Sequence, residues 1–284
     1  MLRPKNNKTK PRIKHRPFLK WAGGKFRLTD DLNRVFPKRK QCLIEPFVGA
    51  GAVFLNSHFE RYILADINPD LINLFNIVKD NVDAYIEACK PIFFAENANT
   101  AEHYYAQRDA FNQSTDPFER SVLFLYLNRF GFNGLCRYNS KNEFNVPFGA
   151  YKTHYFPEDE LRYFAHKAQS AVFLCADFQQ TFELADKHSV IYCDPPYAPL
   201  PQDTNFTGYA GNAFGLEHQK NLAECAKKAQ KEKQISVVIS NHDTKFTREI
   251  YKGAKFKRVK VQRSISQSSE KRVKVKELIA IFKG

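Results

Sequence analysis

No part of this 284-residue sequence offers the ~20 consecutive apolar residues that a bilayer-crossing helix needs; its longest apolar runs are about five to seven residues. No apolar segment follows the basic N-terminus, so a secretory leader is not expected either. Both absences point to a soluble, cytoplasmic protein. The six cysteines, Cys42, Cys89, Cys136, Cys175, Cys193 and Cys225, form no CxxC pair and have no histidine at zinc-finger spacing. Reduced thiols and no metal are expected. Acidic side chains are missing from residues 1–16, which carry seven basic ones, and are scarce over residues 245–284, with three against thirteen. The middle of the chain holds 24 basic and 27 acidic residues, so the net charge of +14 sits at the two ends. Charge concentrated in this way favours a polyanion, because each phosphate contact releases condensed counterions. A basic tail also serves solubility, so the charge names a partner class and proves no activity.

What is present is an alternation of strand and helix. Residues 1–16 lack apolar periodicity and read as a disordered basic arm. FLKWAGGK (18–25) opens a helix that runs to about Phe36 and is stopped by Pro37. CLIEPF (42–47) and RYILADIN (61–68) have the length and composition of buried strands. Helical patterns fill 70–81, 83–93, 101–112, 117–129 and 158–168. Residues 130–156, rich in Asn, Gly and aromatics, read as loops and a hairpin. Strands follow at 171–176, 189–194, 236–240 and 257–262, with helices near 178–186, 216–231 and 244–252. VKVKELIAIF alternates and is expected to add an antiparallel closing strand, and 262–272 is polar and expected to be mobile. The spacing predicts an α/β protein with a doubly wound sheet, interrupted by a helical and loop-rich insertion.

In such sheets ligands bind outside the carboxyl ends of the strands, near the point where strand order reverses. The interesting motifs fall at strand ends. After the first strand comes Phe47-Val48-Gly49-Ala50-Gly51, where two glycines allow a tight turn and close backbone approach to a ligand. The full GxGxxG is absent, since Phe54 takes its last position, which argues against a pyrophosphate clamp but not against a nucleoside. Asp66 ends the second strand, where a carboxylate can accept hydrogen bonds from ribose hydroxyls; a helix cap or a solvated strand end is the ordinary alternative. Asp194-Pro195-Pro196-Tyr197 follows an apolar strand directly. Two prolines remove two backbone donors and leave carbonyl acceptors. Beside an Asp and an aromatic plate, those acceptors suit a planar group bearing an NH₂. WAGGK does not satisfy the Walker A pattern, and Trp21, the only tryptophan, serves equally well as a core anchor.

The ordered set FLKWAGGK, EPFVGAG, ILADIN, LNRFGFNGLCRYN, EFNVPFG, YCDPPYAPL and ISNHDT resembles the Dam family of DNA adenine-N6 methyltransferases over nearly all of residues 17–282. The resemblance implies a Rossmann-like doubly wound mixed sheet of the S-adenosylmethionine-dependent methyltransferase fold, a catalytic domain over 17–80 and 166–284, and an inserted target-recognition domain over 81–165. It implies S-adenosyl-L-methionine as methyl donor, no metal, and double-stranded DNA as partner, with GATC as target and a monomer associated with the nucleoid. Trp21, Lys25, Phe47, Gly49, Gly51, Asp66 and Asp194 then line the donor site, with Asp66 on the ribose and Lys25 on the donor carboxylate. Asp194, Pro195, Pro196 and Tyr197 form the catalytic motif. Lys20, Phe132, Asn133, Leu135, Arg137, Pro147 and Tyr151 meet DNA. Phe132 stands where relatives often carry Tyr, and Ala150 where some carry Arg. Two rivals remain open at this point: the same chemistry on cytosine N4 or an RNA adenine, and a non-catalytic DNA-binding regulator. Strand marking for repair, replication control and protection are all open as biological roles.

Overall fold

The computed structural model of the chain describes residues 13–198, 214–261 and 275–284. Seven strands form one sheet in the order β3-β2-β1-β4-β5-β7-β6. They are β1 (Cys42–Glu45), β2 (Arg61–Asp66), β3 (Ala171–Cys175), β4 (Ser189–Cys193), β5 (Ser236–His242), β6 (Lys255–Val261) and β7 (Val275–Phe282). The first five are mutually parallel, and β7 runs antiparallel between β5 and β6. The expected closing strand is therefore interior, and β6 takes the edge. This is the doubly wound mixed α/β sheet anticipated from the sequence.

The central strands are apolar throughout because both faces are covered, as parallel sheets require. Leu43, Val190 and Val238 enter a core on one face, while Ile44, Ile191 and Val237 enter a separate core on the other. The first core extends without a break into the helices between β2 and β3. Phe93, Tyr126 and Phe130, from α4 (Val82–Phe93) and α6 (Pro117–Phe130), belong to the same buried cluster as Leu43 and Leu64 of the sheet. Local signals start these helices. Asn68 caps α3 (Pro69–Asp80) by accepting from the N–H groups of Asp70 and Leu71, with Pro69 in the first turn. Asp116 caps α6 in the same way, through Glu119 N–H.

The glycine-pair segment departs slightly from the reading above. A 3₁₀ turn, Phe26–Leu28, precedes α1 (Thr29–Val35), so the α-helix begins later than expected. Most of the proposed arm and the polar stretch 262–272 lie outside the described residues, but residues 13–16 do not behave as a free arm. The His15 amide donates to Asn56 Oδ1, and Asn56 Nδ2 returns a bond to the His15 carbonyl, both at 2.9 Å. The imidazole stacks on Tyr163 with ring centroids 3.4 Å apart. Charge composition is blind to such pairing, which holds His15 to the body of the protein.

Candidate active site

Strand order reverses between β1 and β4, so the loops after these two strands face each other across the crevice where α/β sheets bind ligands. The β1 loop is held in a tight turn. Gly49 and Gly51 sit at φ 48° and 74°, and Gly51 starts the short helix α2 (Ala52–Asn56). A Cβ on Gly49 would lie 2.8 Å from Nε1 of Trp21, so the indole packs directly on the glycine backbone. Asp66, at the end of β2, ties this turn down. One carboxylate oxygen accepts from Gly49 N–H at 3.2 Å and the other from Asn68 N–H at 3.1 Å. Burial pushes its carboxyl upward, and these backbone donors oppose the shift. Phe47 stacks on Phe178 at 5.7 Å and meets Phe214 edge-on at 5.4 Å, an aromatic wall beside the turn. Trp21, Phe47, Gly49, Gly51 and Asp66 are thus brought together at the ends of β1 and β2.

The Asp194-Pro195-Pro196-Tyr197 segment leaves β4 and is fastened by residues that the sequence reading did not single out. Gln219, from α9 (Leu216–Lys233), donates to the Pro196 carbonyl at 2.6 Å. Asn241 of β5 accepts from Ala198 N–H at 3.0 Å, and its amide donates to Gln219 and to the Tyr251 hydroxyl. His242 Nδ1 lies 2.6 Å from the Ala198 carbonyl. The prolines have no N–H of their own, so side chains from α9 and β5 supply the bonds that hold this loop. ISNHDT carried the signal: two polar residues closing an apolar strand.

Asp194 stands at the centre. Its Oδ2 is 2.9 Å from Lys25 Nζ, and its Oδ1 is buried with no hydrogen-bond partner among the described residues. Burial raises its carboxyl above the usual range; the Lys25 cation opposes this, and Glu277 adds to it. Lys25, 7% exposed, also lies over the Tyr197 ring at 4.8 Å. The structure therefore puts Lys25 on the motif carboxylate, a position its sequence assignment to the donor carboxylate did not include. The Tyr197 hydroxyl donates to Glu277 at 3.1 Å. Glu45, at the end of β1, is 2% exposed, and its Oε1 has no partner among the described residues. Burial, with Asp194 adding to it, drives its carboxyl well above the usual value, toward the neutral form.

The residues expected to meet DNA gather around one turn. Phe132–Gly134 forms a 3₁₀ turn after α6, with Asn133 in the left-handed region at φ 54°. Phe132 is 38% exposed, and its N–H is held by the Pro147 carbonyl at 2.8 Å. Leu135 is half-buried against the core. Buried Asn128 stitches this turn to the N-terminal segment: its amide donates to the carbonyls of Lys20 and Gly134, and it accepts from Lys20 N–H. A Cβ on Gly134 would overlap Lys20. Lys20 Nζ donates to the Arg129 carbonyl at 2.8 Å and lies 3.9 Å over the Tyr151 ring. Burial, and then the Arg129 charge, lower this ammonium to about 8. Arg137 sits on the hairpin, where Asn145 takes its Nε through Oδ1 and its Nη2 through the backbone carbonyl, at 2.7 and 2.9 Å. That leaves the outer edge of the guanidinium pointing away from its anchor. The hairpin is coupled to the end of β2 and the start of α3. Asn68, bonded to Asp66, donates to Cys136 Sγ, and Asp70 accepts from both Tyr138 and Arg120.

Among the described residues no group of three or more His, Cys, Asp or Glu side chains has a metal-binding arrangement, and no helix is long and apolar enough to cross a membrane. The family model described as "D12 class N6 adenine-specific DNA methyltransferase" matches residues 21–265. The chain is 83% identical over 282 residues to the DNA adenine methylase of Haemophilus influenzae, covering 99% of each. It is 58% identical over 270 residues to that of Escherichia coli K12 and 58% identical over 269 to that of Vibrio cholerae, covering 95% of this chain and 96% of each relative. A half-buried carboxylate and an aromatic ring at the switch point, a glycine turn tied to an acidic strand end, and a family match through most of the chain agree: the protein belongs to the D12 class of N6 adenine-specific DNA methyltransferases.

Proposed function

We propose that the enzyme takes its methyl group from S-adenosyl-L-methionine and delivers it to a flipped-out adenine within GATC in duplex DNA. The observation that carries this reading is Asp194: a half-buried carboxylate, one oxygen on Lys25 and the other, Oδ1, buried without a partner among the described residues, directly beside Tyr197. An unpartnered buried acceptor is costly to keep unless it has work to do. The amine of adenine supplies the missing donors.

The donor-site residues fit a nucleoside carrying a charged tail. Asp66 keeps its two oxygens fixed by backbone N–H groups and retains lone pairs for hydroxyls. The Phe47, Phe178 and Phe214 rings offer an apolar wall. Trp21 covers the glycine turn. When bound, the donor would contribute an electrophilic methyl group on a sulfonium, its S–CH₃ bond breaking to leave a thioether as the N6–C bond forms, and one N6 proton would pass to Asp194 and on to solvent.

The N6 lone pair of adenine is conjugated into the ring and is a weak nucleophile. Asp194 Oδ1 and the Pro195 carbonyl accept the two N6 hydrogens, which withdraws the lone pair from the ring and favours a tetrahedral nitrogen. The Pro196 carbonyl is already engaged by Gln219, so it does not compete. Lys25 holds Asp194 in the ionised form, as an acceptor on both oxygens. The amine is out of reach inside a duplex, so the base leaves the stack at a cost of a few kcal/mol and stacks on Tyr197. Rate enhancement comes from positioning and from acceptors preorganised for positive charge developing on nitrogen. Phe132 presents an apolar ring able to wedge between bases. Arg137, its guanidinium oriented by Asn145, has an edge free of that anchor for the O6 and N7 of a guanine.

The test is transfer of labelled methyl from S-adenosyl-L-methionine to duplexes with and without GATC, with digestion to nucleosides. Label in N6-methyladenine from GATC duplexes alone is expected. Equal labelling of both duplexes would remove GATC from the reading, and no labelling of either would remove the donor.

A further inference from the structure

The motif tyrosine does not stand alone. Glu277 lies on β7, the strand that returns antiparallel between β5 and β6, and it is 5% exposed. In the β5–β7 ladder Glu277 pairs with His242. Tyr197 touches both: its hydroxyl donates to Glu277 Oε2 at 3.1 Å, and its ring meets the His242 ring edge-on at 4.9 Å and 81°. Lys25 lies over the same ring. A buried carboxylate in an otherwise apolar stretch, ELIAIF, has no role in the core. Its apolar neighbours Leu278, Ile279 and Ala280 fill the two cores without it. Placing it so near Asp194 is unfavourable, since the two like charges raise the Asp194 carboxyl.

We infer that Glu277 is a positioning residue for methyl transfer: from the last strand of the sheet it anchors the Tyr197 hydroxyl and so sets the plane on which the target base stacks. The inference rests on the stacking role given to Tyr197 above. A phenol anchored at its far end loses rotation about its ring bonds, and His242 blocks the edge. The ring then receives the base in one orientation, with the N6 amine opposite Asp194. Orientation of this kind matters because a displacement of about 1 Å at the reacting atoms costs on the order of 10²-fold in rate. Glu277 never needs to touch the base.

Five variants of the full chain test this: Glu277→Leu, Glu277→Gln, Tyr197→Phe, the double variant Glu277→Leu/Tyr197→Phe and, for the stacking role itself, Tyr197→Ala. The measurements are single-turnover methylation of a GATC duplex, affinity for S-adenosyl-L-methionine by calorimetry, and emission from a duplex with 2-aminopurine at the target adenine. Glu277→Leu is expected to slow methylation by about 10- to 100-fold, with donor affinity within about twofold of wild type and brighter 2-aminopurine emission, because the flipped base stacks less well. Glu277→Gln keeps an acceptor oxygen for the phenol and recovers most of the lost rate. The double variant removes both ends of the Tyr197–Glu277 contact, so its loss does not exceed that of the worse single variant. Losses that multiply in the double variant, or a Glu277→Leu defect that falls on donor affinity, would overturn the inference. Failure of the underlying reading looks different: Tyr197→Ala with near wild-type methylation and emission would remove the stacking role itself, and Glu277's with it.

Discussion

Lys25→Met removes the cation beside Asp194 and keeps an apolar stem of similar length. At 2.9 Å, a unit pair attracts by ~6 kcal/mol at an effective dielectric near 20 and by ~1.4 kcal/mol in water. The side chains are 8% and 20% exposed, so the pair falls between these limits, and ~3 kcal/mol is a working figure. That energy favours the ionised form of Asp194. Burial and Glu277 press the other way. Without Lys25 the carboxyl holds its proton to higher pH and presents a hydroxyl donor to an amine that needs an acceptor. The sign follows directly. Activity requires the deprotonated group, its value rises in the variant, and the acid limb of the rate profile moves to higher pH. Single-turnover methylation should be slowed by up to about 10²-fold on the acid limb, the rate equivalent of ~3 kcal/mol, and should recover as pH rises. Donor affinity, measured separately, should change little. A loss of equal size at every pH would refute the electrostatic role. A loss of donor affinity with the acid limb unmoved would return Lys25 to the donor carboxylate, the assignment its motif suggested.

Arg137→Ala should reduce preference for GATC over singly substituted sites by about 5- to 150-fold, the range for a bidentate guanine contact; equal losses on all duplexes, with a smaller salt slope, would make it a phosphate anchor. Glu45 holds a proton in the folded state that the unfolded chain releases, so its stabilising contribution is complete below its ordinary value of 4.5 and is lost as pH rises through its folded value. Glu45→Gln should therefore become more stable than wild type as pH rises, by about 1–3 kcal/mol at the alkaline end in denaturant titrations, and a gap independent of pH would contradict this. Lys20 titrates at about 8, so duplex affinity should fall as pH passes through that value, and Lys20→Met should lose this dependence; identical profiles would exclude Lys20 from the contact. Deleting residues 1–12 removes five of the chain's basic side chains and should lessen the salt slope of DNA binding by about 0.9 per lost phosphate contact, leaving site preference intact.

Strands and helices were legible because burial on both faces demands unbroken apolar runs and helix caps demand particular side chains. CLIEPF, RYILADIN and SVIYCD became β1, β2 and β4, and the pattern read over 70–81 became α3, started by Asn68 and Pro69. The motif residues were legible for a related reason: parallel sheets place ligands at carboxyl strand ends, so Gly49, Asp66 and Asp194 announce themselves by following apolar runs. Contacts between distant parts of the chain have no local pattern. Nothing in VKVKELIAIF says that Glu277 will lie under a tyrosine 80 residues earlier, because that depends on β7 slipping between β5 and β6 in the register that opposes it to His242. The Asn128 bonds to Lys20 cross 108 residues, and the Lys25–Asp194 ion pair crosses still more of the chain. Composition assigned residues 13–16 to a free arm, yet an amide pair and a stacked ring hold His15 to the body. Apolar periodicity and cap chemistry are properties of neighbouring residues, and the sequence alone carries them. The charge state of Asp194, the orientation of Tyr197 and the anchoring of Arg137 are properties of groups that meet only when the chain closes, and the tertiary structure alone decides them.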